Sequence, residues 1–286
     1  MIVTLKLAAI MIFAVAAVTR AAAASERHSD LVRYDDVVIE TIVEGAGPAI
    51  VMLPSTGRDG LEDFDDVAAR LAAAGFTVLR PQPRGIGKST GPMEGVSLHD
   101  FARDVATVIT QLGGGRAIIV GHAYGHFVAR MTAVDYPAEV RGVVLAAAAA
   151  RHYPQKLAGV PGRIADVALP EAERLHFLKL AFFAPGHDPA QWLTGWYPKT
   201  QQMQRDGGEK QGVKQSDWWA AGSAPLLELI PDHDPFKPEH HWTELRDEFG
   251  ERVTTVVIAD ASHALFPEQP AAVAEAIIAW ARQLPP

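Results

Sequence analysis

The segment VGHAYGH, residues 120–126, decides how the rest of this chain is read. It follows the apolar run GRAIIV and leads into a helix-like stretch, HFVARMTAVDY, closed by Pro137. Gly121 and Gly125 bracket it with the G-x-S-x-G spacing, in which a buried strand turns sharply into a helix and the middle residue stands at the tip of the turn. That residue is Ala123. A turn of the kind that presents a nucleophile here presents a methyl group.

Working outward, the same rhythm extends in both directions. DVVIETIV and AIVML read as strands separated by the turn EGAGP, and FTVLR as a further buried strand. Residues 62–74 place Phe64, Val67, Ala68 and Leu71 at helical spacing and end at Gly75. LHDFARDVATVITQL reads as a helix, and RGVVLAAA, PLLELI and RVTTVVIA as strands. PEHHWTELRDEF and PAAVAEAIIAWARQL read as the closing helices. Strands alternating with helices of this length predict an α/β fold, a mostly parallel sheet with helices on both faces. The alternation stops over residues 151–222, which hold Pro, Gly, helical fragments and many aromatics; this stretch is expected to be a helical cap inserted between core segments 25–150 and 223–286.

With 286 residues, 48% of them hydrophobic and 21% charged, the composition is that of an ordinary globular protein. A formal charge of −8 and the lack of a Lys/Arg stripe argue against nucleic acid as a partner. At the N-terminus, Lys6 precedes an apolar run from Leu7 to Val18 and small residues at Ala21–Ser25, the pattern of a secretory signal peptide over residues 1–24, cut near Ala23 or Ala24. The run is shorter than the ~20 apolar residues that span a bilayer, so a periplasmic or secreted protein with no membrane attachment after cleavage is expected, with an uncleaved membrane anchor as the alternative reading. The chain has no cysteine, which excludes disulfides and thiol chemistry.

Four segments, VMLPSTG, PQPRGIGKS, GHAYG, and the pair PDHDPFKP with ASHALFPEQP, occur in the order found in the α/β-hydrolase fold, and from about residue 36 onward the chain resembles that family. The resemblance implies Ala123 at the nucleophile position, Asp234 as the acid with Asp232 as its alternative, and His263 as the base. It implies an oxyanion hole from the amide of Tyr124 and that of Thr56 or Ser55, since Pro54 has no N–H to donate. The chain departs from the family in having Pro54 and Ser55 where His-Gly is usual, and Gln82 where Asp is usual.

An alanine cannot form an acyl-enzyme. Three readings accommodate it: a serine hydrolase whose serine has been replaced, an enzyme in which His263 acts on water or substrate directly, or a non-catalytic small-molecule binding protein. Relatives of this fold that carry out lyase or oxygenase chemistry belong with the second. Ser262, adjoining the base, is a weak candidate for a substitute nucleophile. Ser55, His122, Trp192, Trp196 and Trp218 are candidates for the pocket wall, which would suit a small apolar ester, lactone or similar carbonyl compound; the tryptophans could equally fasten the cap. No cofactor or metal is expected: EHHW at 239–242 lacks the H-x-x-x-H spacing that puts two histidines on one face, and RGIGKS lacks the spacing of a P-loop.

Overall fold

The computed structural model describes residues 26–209 and 211–285. The segment read as a signal peptide, 1–24, lies outside them. Eight strands form one sheet: β1 His28–Tyr34, β2 Val37–Gly45, β3 Ala49–Leu53, β4 Thr77–Pro81, β5 Ala117–His122, β6 Val140–Ala146, β7 Leu226–Pro231 and β8 Val253–Ile258. Their order is β1-β2-β4-β3-β5-β6-β7-β8. The pairs β1–β2 and β2–β4 are antiparallel and the remaining pairs parallel.

The central strands are continuous apolar runs because both sheet faces are covered. Along β3, Ala49, Val51 and Leu53 enter one core while Ile50 and Met52 enter the other. Along β5, Ala117 and Ile119 divide from Ile118 and Val120 in the same way. Helix α1 (Asp65–Ala73) lies on the second face, and α2 (Leu98–Leu112) and α3 (Gly125–Asp135) lie on the first. The start of α2 is fixed by Asp100, whose carboxylate accepts from the Ser97 amide at 2.8 Å.

Strand β1 is the element that sequence reading did not anticipate. It carries a single fully buried side chain, Val32 at 1% exposure, between the charged Asp30 and Arg33, and Leu31 faces solvent. An antiparallel edge strand with one wet face has no apolar run to mark it.

Between β6 and β7 the chain leaves the sheet and builds the cap from α4 (Val160–Ala165), α5 (Glu171–Ala181), α6 (Pro198–Glu209) and the single turn α7 (Gln215–Trp218). Leu157, Ile164, Leu178, Phe182 and Trp192 form its own small core, which meets the body at Phe236 and Ala264. Helices α8 (Glu244–Phe249), α9 (Leu265–Glu268) and α10 (Pro270–Ala281) complete the molecule. The helix expected over 238–249 splits into a 3-10 turn, Glu239–His241, and α8. The tighter path lets Trp242 Nε1 donate to the Lys237 carbonyl at 3.0 Å and brings the Glu244 carboxylate within 2.9 Å of Lys237 Nζ.

Candidate active site

The site gathers where the parallel strands end at their carboxyl edge, the position an open α/β sheet favours for ligands. Between β5 and α3 the chain reverses at Ala123, which has φ +47°, a left-handed conformation costly for any residue with a Cβ. The reversal is enforced by close packing. A Cβ on Gly121 would stand 2.5 Å from the Gly125 carbonyl oxygen, and one on Gly125 would stand 2.5 Å from that of Leu53. Main-chain contact at both positions admits only glycine, and the Ala123 amide is tied to the Ala146 carbonyl at 2.9 Å.

The residues read as base and acid come from two loops. Asp234, just past β7, and His263, just past β8, are both buried, and His263 Nδ1 lies 2.9 Å from Asp234 Oδ2. The other carboxylate oxygen of Asp234 accepts from the Phe236 amide at 2.9 Å, so the group is held at both oxygens. The pairing leaves His263 Nε2 as the free ring nitrogen. The ring sits against Phe236 at 4.5 Å and meets Phe182 edge-on at 5.1 Å. Asp232 is turned elsewhere and accepts from the Ala261 amide at 3.3 Å. Ser262 donates its hydroxyl to the His233 carbonyl at 3.1 Å, away from the cavity.

A cavity of about 380 Å³ is lined by Ala123, His263, Ser55, Thr56 and Tyr124 together with Trp218. Among the described residues, the amides of Thr56 and Tyr124 make no main-chain hydrogen bond. Gln204 of α6 fixes the loop that carries the first of these. Its side-chain oxygen accepts from the Gly57 amide at 2.7 Å and from Thr56 Oγ1 at 3.2 Å, and its carbonyl accepts from the Tyr124 hydroxyl at 3.0 Å. Burial pushes the Tyr124 phenol up, keeping it a neutral donor.

Three residues read as pocket wall stand elsewhere. His122 lies behind the turn, where Nε2 meets the His263 carbonyl oxygen at 2.7 Å; burial and the nearby His263 ring push its pKa down to about 3. Because β-strand side chains alternate, the residue before the tip points into the body when the tip faces the cavity. Trp192 and Trp196 do not line the cavity. Trp192 is fully buried and donates Nε1 to Asp63 Oδ1 at 2.8 Å, and the Arg58 guanidinium covers both indoles at 4.3 Å and 5.0 Å from their centroids. They fasten the cap to the loop after β3.

Other participants are not singled out as site residues in the sequence. Glu268 accepts from the Ser262 and Ala184 amides, each at 2.6 Å, and so pins the base loop to the end of α5. Phe182 and Phe236 line the cavity, as do Tyr153, Gln204 and Arg205, of which nothing in the local sequence marks the last three. Gln82, where the family usually has Asp, accepts from the Gly60 amide at 3.0 Å and supports the loop beneath the hole.

Among curated relatives, bifunctional epoxide hydrolase 2 of Sus scrofa is 33% identical over 101 residues, 35% of this chain and 18% of that protein. The 2-(acetamidomethylene)succinate hydrolase of Mesorhizobium japonicum is 34% identical over 101 residues, 35% of this chain and 36% of that protein. The aligned part is thus about a fifth to two fifths of such relatives. An esterase from Exiguobacterium antarcticum superposes with a TM-score of 0.73 at 20% identity, covering 90% of this chain and 100% of the esterase, which shows the fold. A family model described as the alpha/beta hydrolase fold matches residues 48–270, most of the chain, and the protein belongs to that family.

Proposed function

We propose that the protein is a hydrolase of a small ester, lactone or comparable carbonyl compound, and that water takes the place of a serine at the tip of the turn. The observation that carries this reading is the buried His263–Asp234 pair at 2.9 Å, opening onto the same cavity as Ala123. A methyl group fills less of the cavity than a hydroxymethyl would, and in this reading water takes up the difference. In this reading His263 Nε2 takes a proton from a water molecule there, and the water oxygen bonds to the substrate carbonyl carbon. The carbonyl oxygen gains the negative charge, facing the Thr56 and Tyr124 amides. Collapse breaks the bond to the leaving alkoxide, which takes the proton from the His263 imidazolium, and Asp234 stabilises that cation between the two steps. Removing the nucleophile from a serine triad leaves roughly 10³- to 10⁴-fold acceleration from binding and the hole, so a slower enzyme of this kind is chemically reasonable.

The test compares the chain as it stands with Ala123→Ser and His263→Ala on short aryl esters and lactones. Hydrolysis by the unaltered chain that disappears in His263→Ala supports the reading. Activity appearing only with Ala123→Ser assigns a serine-type site lacking its nucleophile. Inactivity in both, with saturable ligand uptake, assigns a binding protein. Export is proposed on the N-terminal segment alone, and the mass of the mature chain recovered from a periplasmic fraction tests it.

A further inference from the structure

We propose that Arg205 makes the cavity an anion-recognising one, so that the substrate carries a carboxylate set apart from the scissile carbonyl. This rests on the hydrolase reading only for what is cleaved; the charge preference stands on separate observations.

The first is the charge of the wall. Among the described residues lining the cavity there is one formally charged side chain, Arg205, and no Asp or Glu. That is unexpected in a chain with 34 acidic and 26 basic residues. The second is that Arg205 is unengaged. Arg58 pairs with Asp63 at 2.7 Å, Arg84 with Asp104 at 2.8 Å and Arg151 with Glu248 at 2.8 Å, whereas Arg205 has no ion-pair or hydrogen-bond partner among the described residues. Its neighbour Asp206 does not serve, because that carboxylate accepts from Gln202 Nε2 at 2.7 Å along α6.

The third is placement. Arg205 is exposed yet lines the cavity, so it stands at the opening, between α6 and α4. A Cβ on Gly162 of α4 would lie 3.3 Å from Arg205 Nη2, so the glycine leaves the guanidinium room against that helix. The seam is held by Gln201 Nε2, which donates to the Pro161 carbonyl at 3.4 Å. The fourth is the field inside. His126, on the cavity wall, is fully buried, and burial first, then the Arg130 and Lys237 charges, push its pKa well below the usual histidine range. Lys237 is paired with Glu228 and Glu244, and both carboxylates also act on Arg130, so Arg205 remains the charged group that faces the cavity itself. A guanidinium at a partly desolvated mouth is suited to bidentate recognition of a carboxylate.

The experiment uses the full chain with Ala123 in place, and binding is read on mixing, before turnover accumulates, so that it is scored apart from hydrolysis. Tryptophan fluorescence, which Trp218 on the wall makes sensitive, reports binding of the monomethyl esters of succinic, glutaric, adipic and suberic acids against their dimethyl esters. Varying chain length lets the span between carbonyl and carboxylate find its match. At the best length the monoester is expected to bind about tenfold tighter than the diester. The ratio should collapse towards one in Arg205→Gln, be partly kept in Arg205→Lys, and shrink as salt rises. Because it is taken within each variant, the ratio is indifferent to a general loss of folding. Equal binding of mono- and diesters at every length, no binding of any acid at millimolar concentration, or a preference that survives Arg205→Gln overturns the proposal. Hydrolysis is scored separately: an Arg205-dependent preference without turnover in the unaltered chain or Ala123→Ser sinks the hydrolase reading and leaves this one standing. Turnover of diesters without preference does the reverse.

Discussion

His122 Nε2 meets the main-chain carbonyl of His263 at 2.7 Å, so the residue before the turn and the loop that carries the base hold each other from beneath the cavity. The nucleophile position and the base are therefore positioned relative to one another whether or not a nucleophile is present. Neutral His122 can donate from Nε2 to this carbonyl at any pH above about 3, where burial keeps it uncharged.

That burial has a consequence for acid stability. His122 is pushed down to about 3 and His126 well below its usual range, so each is neutral in the folded chain while its unfolded counterpart protonates near 6.5. The unfolded state then binds more protons, and stability falls as pH drops from about 6.5 towards 3, by up to about 1.4 kcal/mol per unit for each histidine. Urea midpoints across this range should show the slope, and His126→Asn should reduce it.

Asp234→Asn removes the charge that stabilises protonated His263 and disturbs its hydrogen bond at Nδ1. Turnover by the unaltered chain, or by Ala123→Ser if only that form is active, should fall by roughly 10²- to 10⁴-fold, with the fold intact by near-ultraviolet circular dichroism. A change of less than threefold in kcat/KM would contradict the role given to the pair.

Gln204→Leu removes the acceptor of the Gly57 amide and of the Thr56 hydroxyl while keeping most of the side-chain volume. A buried amide left without an acceptor costs about 1–3 kcal/mol. Turnover is expected to drop more than substrate binding, because the loop bearing the Thr56 amide loses its brace. Loss of binding with unchanged kcat would show that Gln204 serves the substrate instead.

Arg58→Ala strips the cation from Trp192 and Trp196 and leaves Asp63 with Trp192 Nε1 but without its charge partner. Breaking a buried pair on one side costs about 3–5 kcal/mol. The cap should loosen first, seen as faster proteolysis within residues 151–222 and red-shifted tryptophan emission before global unfolding.

Ala123→Gly tests the strain at the tip. A left-handed residue with a Cβ costs about 1–2 kcal/mol, and glycine returns part of that through its freer unfolded chain. A net gain of about 0.5–1 kcal/mol in urea denaturation is expected. No gain would mean that the surrounding packing, rather than the backbone, sets the energy of this turn.

The sequence alone determined most of the sheet-and-helix order and the glycine-bracketed turn, because both are written in local pattern, and the resemblance pointed to Asp234 and His263, which the structure brings together. Buried strands are short apolar runs, and a reversal against main chain demands Gly121 and Gly125. Strand β1 escaped notice because one apolar residue, Val32, is too little pattern to read. Only tertiary structure decided what surrounds the site. It sent His122 beneath the turn and locked Trp192 and Trp196 under Arg58. It also brought Gln204 and Arg205 of the cap to the cavity, Gln204 bonding Gly57 across 147 residues of chain. Which side of an irregular cap faces a cavity depends on how that cap packs against the body, a long-range result that no periodicity within it records.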